Sequence, residues 1–240
     1  MWYNGRMKDI QGFYSEIAGS YEPINSVLTL GFDKRWRKKI VAEAIRLNPN
    51  PISILDMCSG TGQTAGHLSR RFPRAKIIAA DFNSQMLAKA RDKMSRQRAE
   101  NLFFTLADAV HLPFAGNTFD MITLTFATRN LGATPGQLPA SFREFYRVLK
   151  PGGFYLNLET SQPPQATIRK LFHIYVRMTV RPLGRLLSGS DASYTYLSES
   201  IRSFYSAPEL ARVLHQAGFK SVHYRHFLFG AAALHIAHKV

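Results

Sequence analysis

Three carboxylates stand where alternating strands and helices could bring them together: Asp56, Asp81 and Asp108. Asp56 follows the apolar run Ile52-Ser-Ile-Leu55, Asp81 follows Lys76-Ile-Ile-Ala-Ala80, and Asp108 comes one residue after Leu102-Phe-Phe-Thr-Leu106. Beyond Asp56 lies Met57-Cys-Ser-Gly60-Thr61-Gly62, whose glycines permit a tight turn and close approach of the backbone to a ligand. A carboxylate facing such a turn suits a ligand with positive charge, an amino group or a sulfonium, better than a pyrophosphate. The dinucleotide fingerprint is also mis-spaced, because Gly66 falls one position too late for G-x-G-x-x-G. Asp81 lies 81 − 60 = 21 residues after Gly60, where an acid can accept hydrogen bonds from both ribose hydroxyls. A dinucleotide site needs that acid too, so Asp81 does not discriminate. The acids on either side of it do, and the three together point to a site for S-adenosylmethionine.

The elements that must position these acids follow from hydrophobic periodicity. Ile52, Ile54 and Leu55 read as a short buried strand, and Thr64–Arg71 as the helix onto which the glycine turn opens. Asn83 or Ser84 caps a helix through Met94, and Phe119–Phe126 is the continuous apolar run of a buried parallel strand. A helix from about Pro139 to Leu149 stops at Pro151-Gly-Gly153, with Phe154–Leu158 as the fifth strand. Such alternation implies right-handed crossovers and a parallel sheet, with ligands beyond the strands' carboxyl ends. Asp56, Asp81, Asp108 and Thr125 gather there. Ser221–Leu228 and Ala231–Ala237, joined across Phe229-Gly230, form an antiparallel hairpin at the sheet edge.

Two helical segments flank this core. Before it, Phe13–Tyr21 leads through Pro23 to Asn25–Gly31, and Asp33 is placed to cap a helix over Lys34–Ile45. Trp36, Ile40, Val41, Ala44 and Ile45 share one face of that helix. After the core, Ile168, Leu171, Phe172, Tyr175, Val176 and Met178 recur at helical spacing, accompanied by Arg169, Lys170, Arg177, Arg181 and Arg185. Ser206-Ala-Pro-Glu209 has the form of a capping box. The expected organisation is a single domain over 1–240: a helical cap (1–48), a cofactor-binding core (52–160), a helical lid insert (163–204), and a closing helix and hairpin (205–240).

The chain carries 31 Lys and Arg against 16 Asp and Glu, a formal charge of +15, which favours a polyanionic partner. Those bases are dispersed along amphipathic helices with no RNA-binding module, which argues against nucleic acid and for an anionic membrane surface. No apolar run reaches the length of a membrane span and no signal pattern opens the chain, so a cytoplasmic location is expected. The single cysteine, Cys58, excludes an internal disulfide and reads as a small residue fitted to the turn. No His, Cys and Asp grouping has metal-ligand spacing, so no metal is expected. His111, His215 and His223 read as surface or structural, and His173 and His235 as the weaker candidates for a base.

Taken together, the segments resemble the ubiquinone/menaquinone C-methyltransferase family, class I methyltransferases that methylate prenylated quinols. The resemblance spans most of the chain. Its residues are Phe13–Tyr21 with Asn25, Leu55–Gly62, Leu112-Pro-Phe114 with Asn117–Asp120, Thr125-Phe-Ala-Thr-Arg-Asn130, Tyr146–Gly153, Ser193–Ile201 and Ala233-Leu-His235. The glycine turn and Pro151-Gly-Gly153 are shared by class I methyltransferases broadly. Arg129-Asn130 and Tyr194-x-Tyr196-Leu197-x-Glu199-Ser200 are particular to the quinone enzymes. The family pattern departs at three places. Gln63 replaces an acid, Gly189-Ser190 an Asn-Asp pair, and Phe126-Ala-Thr-Arg-Asn130 a Phe-Gly-x-Arg-Asn.

This resemblance implies a Rossmann-like α/β fold with a seven-stranded, mostly parallel sheet, S-adenosylmethionine as cofactor and a lipid-soluble quinol as substrate. Beside Asp56, Gly60 and Gly62 of the turn, cofactor contacts are expected at Thr61, Asp81, Phe82, Asp108, Ala109 and Thr125. Methylating a ring carbon requires a phenolate, which charges the ortho carbon, and a free phenol has a pKa of about 10. Arg129 is suited to pair with that phenolate but not to remove its proton. Water held by Arg129 and Asn130, with Tyr194 or Tyr196 in the network, is the expected base, while the plain alternative for Arg129 is a structural ion pair. The insert over Ile168–Arg185 is expected to be a lid that touches the bilayer, holding the protein peripherally at the inner face of the cell membrane. The sequence leaves a homodimer open. A second reading is a methyltransferase of the same fold acting on a phospholipid headgroup amine or another hydrophobic small molecule. A third is a nucleic-acid-binding or RNA-modifying protein.

Overall fold

The computed structural model describes Gly12 and residues 21–132, 136–188 and 191–240, with the side chains of Tyr21, Arg181, 183–188, 191–193 and Tyr196 outside that description. The Phe13–Tyr21 motif, the Gly189-Ser190 pair and the side chains of Tyr196, Arg181 and Arg185 therefore lie outside the described residues.

Two helices, α1 (Tyr21–Leu28) and α2 (Phe32–Leu47), precede the sheet. The core then runs β1 (Ser53–Met57), α3 (Gln63–Arg71), β2 (Lys76–Asp81), α4 (Ser84–Arg96), β3 (Leu102–Leu106), β4 (Phe119–Thr125), a short α5 (Thr128–Leu131), α6 (Gln137–Val148) and β5 (Leu149–Thr160). Next come α7 (Ala166–Ser188) and α8 (Asp191–Ser203), then α9 (Ala207–Gln216), β6 (Ser221–Phe227), a 3₁₀ turn at Leu228–Gly230 and β7 (Ala232–His238). The seven strands lie in the order β3-β2-β1-β4-β5-β7-β6. The first five are parallel, and β7 inserts antiparallel between β5 and β6. Strand order reverses between β1 and β4, so a crevice opens beyond their carboxyl ends, as the alternation of elements predicts.

Each face of the sheet is covered. Trp36, Ile40, Val41 and Ala44 of α2 pack with Leu68 of α3 over Ile54, Ile77 and Leu156. On the other face Phe142 and Phe145 of α6 and Leu210 and Leu214 of α9 pack against Leu55, Ile122 and Tyr155. A third cluster joins the cap to the insert: Ile24 and Leu28 of α1 meet Val176 and Val180 of α7 and Tyr194 of α8.

Three boundaries differ from expectation, each for a local reason. Gly31, at φ 75°, is the N-cap of α2, so the helix starts at Phe32 and Asp33 lies inside its first turn rather than capping it. The Asp33 carboxylate instead accepts a 3.0 Å hydrogen bond from the Thr29 hydroxyl. β1 extends to Met57, which takes Asp56 off the strand end and into the sheet. β5 runs through Pro151-Gly-Gly153, because the pairing with β4 shifts register there. A Cβ at Gly153 would sit 2.9 Å from the Lys150 carbonyl and 3.0 Å from that of Asp120, so only glycine fits the irregularity. Elsewhere the sequence signals hold. Asn83 caps α4 by accepting from the Gln85 and Met86 N–H groups at 3.0 Å each, and Glu209 accepts from the Ser206 N–H at 2.8 Å.

Candidate active site

Where β1 and β4 end, the chain turns through conformations that ordinary side chains avoid. Cys58 (φ 52°) and Phe126 (φ 58°) are both left-handed, as are Gly60 and Gly62. The two turns line a cavity of about 60 Å³ bordered by Gly60, Asp81, Phe82, Asp108, Ala109 and Thr125, with Asn130 beside them. Six residues expected from sequence to hold a cofactor thus share one wall.

Asp81 is its polar centre. Its Oδ2 accepts from the Gly60 N–H at 2.8 Å and Oδ1 from the Asn83 N–H at 2.9 Å, so the carboxylate ties the glycine turn to the start of α4. Burial pushes its pKa up, against those N–H donors. Each carboxylate oxygen keeps a second lone pair, which suits the vicinal hydroxyls of a ribose. Asp108 spends Oδ1 on the Val110 N–H at 3.1 Å, and its other oxygen has no hydrogen-bond partner among the described residues. Two acids with spare acceptor capacity, a backbone turn without side-chain bulk and an apolar floor fit S-adenosylmethionine. Burial also pushes the Cys58 thiol well above its ordinary range, with Asp81, Asp56 and Asp108 adding to the shift, so it stays protonated.

Three expected cofactor residues lie elsewhere. Asp56 borders neither this cavity nor the larger one beside it. It is buried in the sheet, where the Thr123 hydroxyl donates to its Oδ1 at 2.6 Å, and burial raises its pKa to about 7. Gly62 serves as the N-cap of α3, and a Cβ there would meet that of Ala90 at 3.1 Å. The Thr61 hydroxyl donates to Glu22 of α1 at 2.6 Å, and Lys93 pairs with the same carboxylate at 2.7 Å. The cap is thereby fastened to the glycine turn, a contact that local sequence gives no sign of.

A second cavity, of about 150 Å³, lies beside the first. Its walls come from α1, α2, α5, α7 and α8 and are mainly apolar: Ile24, Leu28, Trp36, Phe172, Val176 and Leu197 among them. Phe126 borders both cavities. Its ring lies 6.0 Å from that of Trp36, with the Arg37 guanidinium 5.3 Å from its centroid.

Arg129 and Asn130, adjacent in the motif, part company here. Asn130 borders the smaller cavity and Arg129 the larger one. Successive residues on a helical turn point about 100° apart, so one water held by both side chains is not what this geometry favours. Arg129 is buried and paired with Glu159: Nε donates to Oε1 at 3.0 Å and the backbone N–H to Oε2 at 3.3 Å. Its Nη1 is buried without an acceptor. The ion pair therefore leaves one guanidinium nitrogen without an acceptor on a side chain that borders the larger cavity. Tyr194 also borders the larger cavity.

Neither histidine suggested as a base lines these cavities. His235 is buried in β7 with Nε2 2.9 Å from the Ala207 carbonyl oxygen, and burial lowers its pKa to about 4. His173 faces Gln162 on the outer side of α7. Among the described residues, no group of His, Cys, Asp and Glu could hold a metal ion. Sequence reasoning missed Glu22, Asp33, Arg37 and Glu159. Asp33 and Arg37 carried a usable signal, since they are charged yet share the helical face of Trp36.

A sequence model of the ubiE/COQ5 methyltransferase family matches residues 3–239. The chain is 39% identical over 238 residues to a demethylmenaquinone methyltransferase of Lactiplantibacillus plantarum, covering 98% of each chain. It is 37% identical over 226 residues to a ubiquinone/menaquinone biosynthesis C-methyltransferase of Desulfotalea psychrophila, covering 94% of this chain and 88% of that one. Among solved structures, an S-adenosylmethionine-dependent methyltransferase from Aquifex aeolicus superposes with a TM-score of 0.60 at 20% identity, over 85% of this chain and 89% of that one, a likeness of fold.

Proposed function

The chain belongs to the ubiE/COQ5 methyltransferase family, and on that premise we propose that it methylates a ring carbon of a prenylated quinol held in the larger cavity. It is an S-adenosylmethionine-dependent C-methyltransferase of quinone biosynthesis. The observation that carries the quinol assignment is the pair of cavities sharing Phe126, one bordered by strand-end acids and the other by apolar side chains.

When bound, S-adenosylmethionine supplies an electrophilic methyl group on a sulfonium. Asp81 is positioned to accept from the ribose hydroxyls, Asp108 to accept from an amino donor, and the glycine turn to lie against the rest of the molecule. The Arg129 guanidinium borders the larger cavity, and a phenolate beside it gains a charge-assisted hydrogen bond. Glu159 fixes the guanidinium plane from behind, which keeps that donor's direction. Aromatic and aliphatic walls exclude water and hold the ring, so that the chemistry reduces to alignment in a dry site.

The prenyl tail requires a lipid phase, and α7 supports docking on an anionic membrane. Its inward face, Phe172, Tyr175 and Val176, borders the larger cavity. Its outward face exposes Leu171, Ile174 and Met178, next to a cationic groove of Arg169, Lys170, Arg177 and Arg202. Exposed apolar groups beside bases are the pattern of an interfacial helix. No helix among the described residues is long and apolar enough to cross a membrane.

Mass spectrometry of reduced, unmethylated quinone extracts incubated with enzyme and S-adenosylmethionine tests the assignment. A gain of one methyl on the ring is expected. Methylation of phospholipid amines in the same extract, with quinones untouched, would refute it.

A further inference from the structure

We propose that Asp33 is the base that takes the phenolic proton of the quinol, a role that rests on the methyl-transfer reading above. An aspartate in the first turn of a helix ordinarily serves the helix dipole from a solvated position. Asp33 is 2% exposed and borders the apolar cavity. It is the only carboxylate among the described residues that do so. The Thr29 hydroxyl lies 3.0 Å from its Oδ1 and shares its one proton between that oxygen and the Asn25 carbonyl at 2.7 Å, and Oδ2 has no partner among the described residues. A carboxylate held by one hydroxyl in an apolar wall has a free oxygen for a substrate proton.

Its position also suits the reaction. Asp33, Trp36 and Arg37 stand at i, i+3 and i+4, on one face of α2. Trp36 and Arg37 both lie against the ring of Phe126, the residue common to the two cavities. Asp33 is thus about one helical turn, roughly 5.4 Å of rise, from the wall behind which the methyl donor must lie. The other polar groups of the cavity are poor bases. A guanidinium offers no acceptor, which sets aside Arg37 and Arg129, and the Tyr175 phenol, its pKa raised by burial, donates to the Leu28 carbonyl at 2.9 Å.

The step balances as follows. The phenolic O–H bond breaks, its proton goes to Asp33, and its electron pair moves through the ring to the ortho carbon. That carbon bonds the methyl group while the methyl–sulfur bond breaks and its electrons stay on sulfur. The ring C–H proton then leaves to water as Asp33 returns its proton to the ring oxygen, so aromaticity is restored and one proton is released. The Arg37 and Arg129 guanidinium groups border the same cavity and offset the negative charge that forms between these events.

The test is Asp33→Asn, assayed anaerobically with a chemically reduced short-chain quinol in detergent. Turnover is expected to fall about 10²–10⁴-fold. Quinol binding, read by quenching of tryptophan fluorescence through Trp36, and calorimetric cofactor binding should both be kept. A second quinol, with an electron-withdrawing substituent that leaves it ionised at the assay pH, needs no base. With it the ratio of variant to wild-type turnover should rise toward one. If the asparagine variant does not fold, Asp33→Ser is read in the same way. A variant retaining most wild-type turnover, or a ratio indifferent to phenol acidity, overturns the base assignment alone. A wild type inert toward every quinol overturns the methyl-transfer reading and the base with it.

Discussion

Asp56→Asn separates a buried structural acid from a ligand-binding one, and its effect can be worked out in advance. Asp56 is 1% exposed, with one oxygen bonded to the Thr123 hydroxyl and the other buried without a hydrogen-bond partner. Burial raises its pKa from 3.8 to about 7, against the pull of Thr123 and Arg37. A folded pKa above the unfolded one means stability that is fully present below pH 3.8 and lost as pH rises through 7. The gap corresponds to roughly 4 kcal/mol in total, of which about 2–3 kcal/mol falls between about pH 5 and 8. Asparagine keeps an oxygen for Thr123 and cannot ionise, so the variant lacks this dependence. Urea unfolding followed by circular dichroism at both pH values gives the double difference directly. The wild type should lose about 2–3 kcal/mol more than the variant on going from the lower pH to the higher, about 1 M in urea midpoint for a typical slope. Stability curves that run parallel for the two proteins would refute the burial argument. Because Asp56 borders neither cavity, calorimetry should find cofactor affinity within about threefold of wild type. A tenfold loss would return Asp56 to the site.

Three further outcomes are expected. Asp81→Ala should weaken S-adenosylmethionine binding by about 1.5–3 kcal/mol, the value of hydrogen bonds to a charged acceptor, and unchanged calorimetric affinity in a folded variant would remove the ribose assignment. Arg129→Lys should lose about 10²-fold in turnover, as Arg129→Ala does, while both still bind cofactor, because a point charge cannot pair with Glu159 and hold out a second donor as Arg129 does. A lysine variant with near-normal turnover contradicts this. The protein should sediment with anionic vesicles at low salt and be released at high salt, each base near the surface contributing about 1 kcal/mol. Reversing the charge of Arg169, Lys170 and Arg177 should abolish this, and undiminished sedimentation of that variant would move the contact away from α7.

What the sequence disclosed, and what it hid, follows from how each wall of the site is built. The wall of the smaller cavity is made of strand ends, and a strand followed by a turn is a local event. Asp81, Asp108 and Thr125 could therefore be placed from a few residues of context each. Asp56 shows the limit of that logic. A single further strand residue, Met57, changes which side chain faces the turn, since neighbours in a strand point to opposite sides. The Arg129-Asn130 motif shows a second limit. Adjacency in sequence suggested joint action, yet a helical turn aims the two side chains into separate cavities. The wall of the larger cavity was legible only in part: Arg129, Tyr194 and the insert helix were marked, whereas α1 and the placement of Asp33 were not. It is assembled from α1, α2, α5, α7 and α8, which come from parts of the chain far apart in sequence. Periodicity marked Trp36 as core and left Asp33 as a helix cap, because a period reports which residues share a face and not what that face meets. The meeting is with Phe126, in a left-handed turn at the end of β4 that a pattern of apolar residues does not announce. That turn brings a ring to the border of both cavities, and among the described residues no other residue borders both.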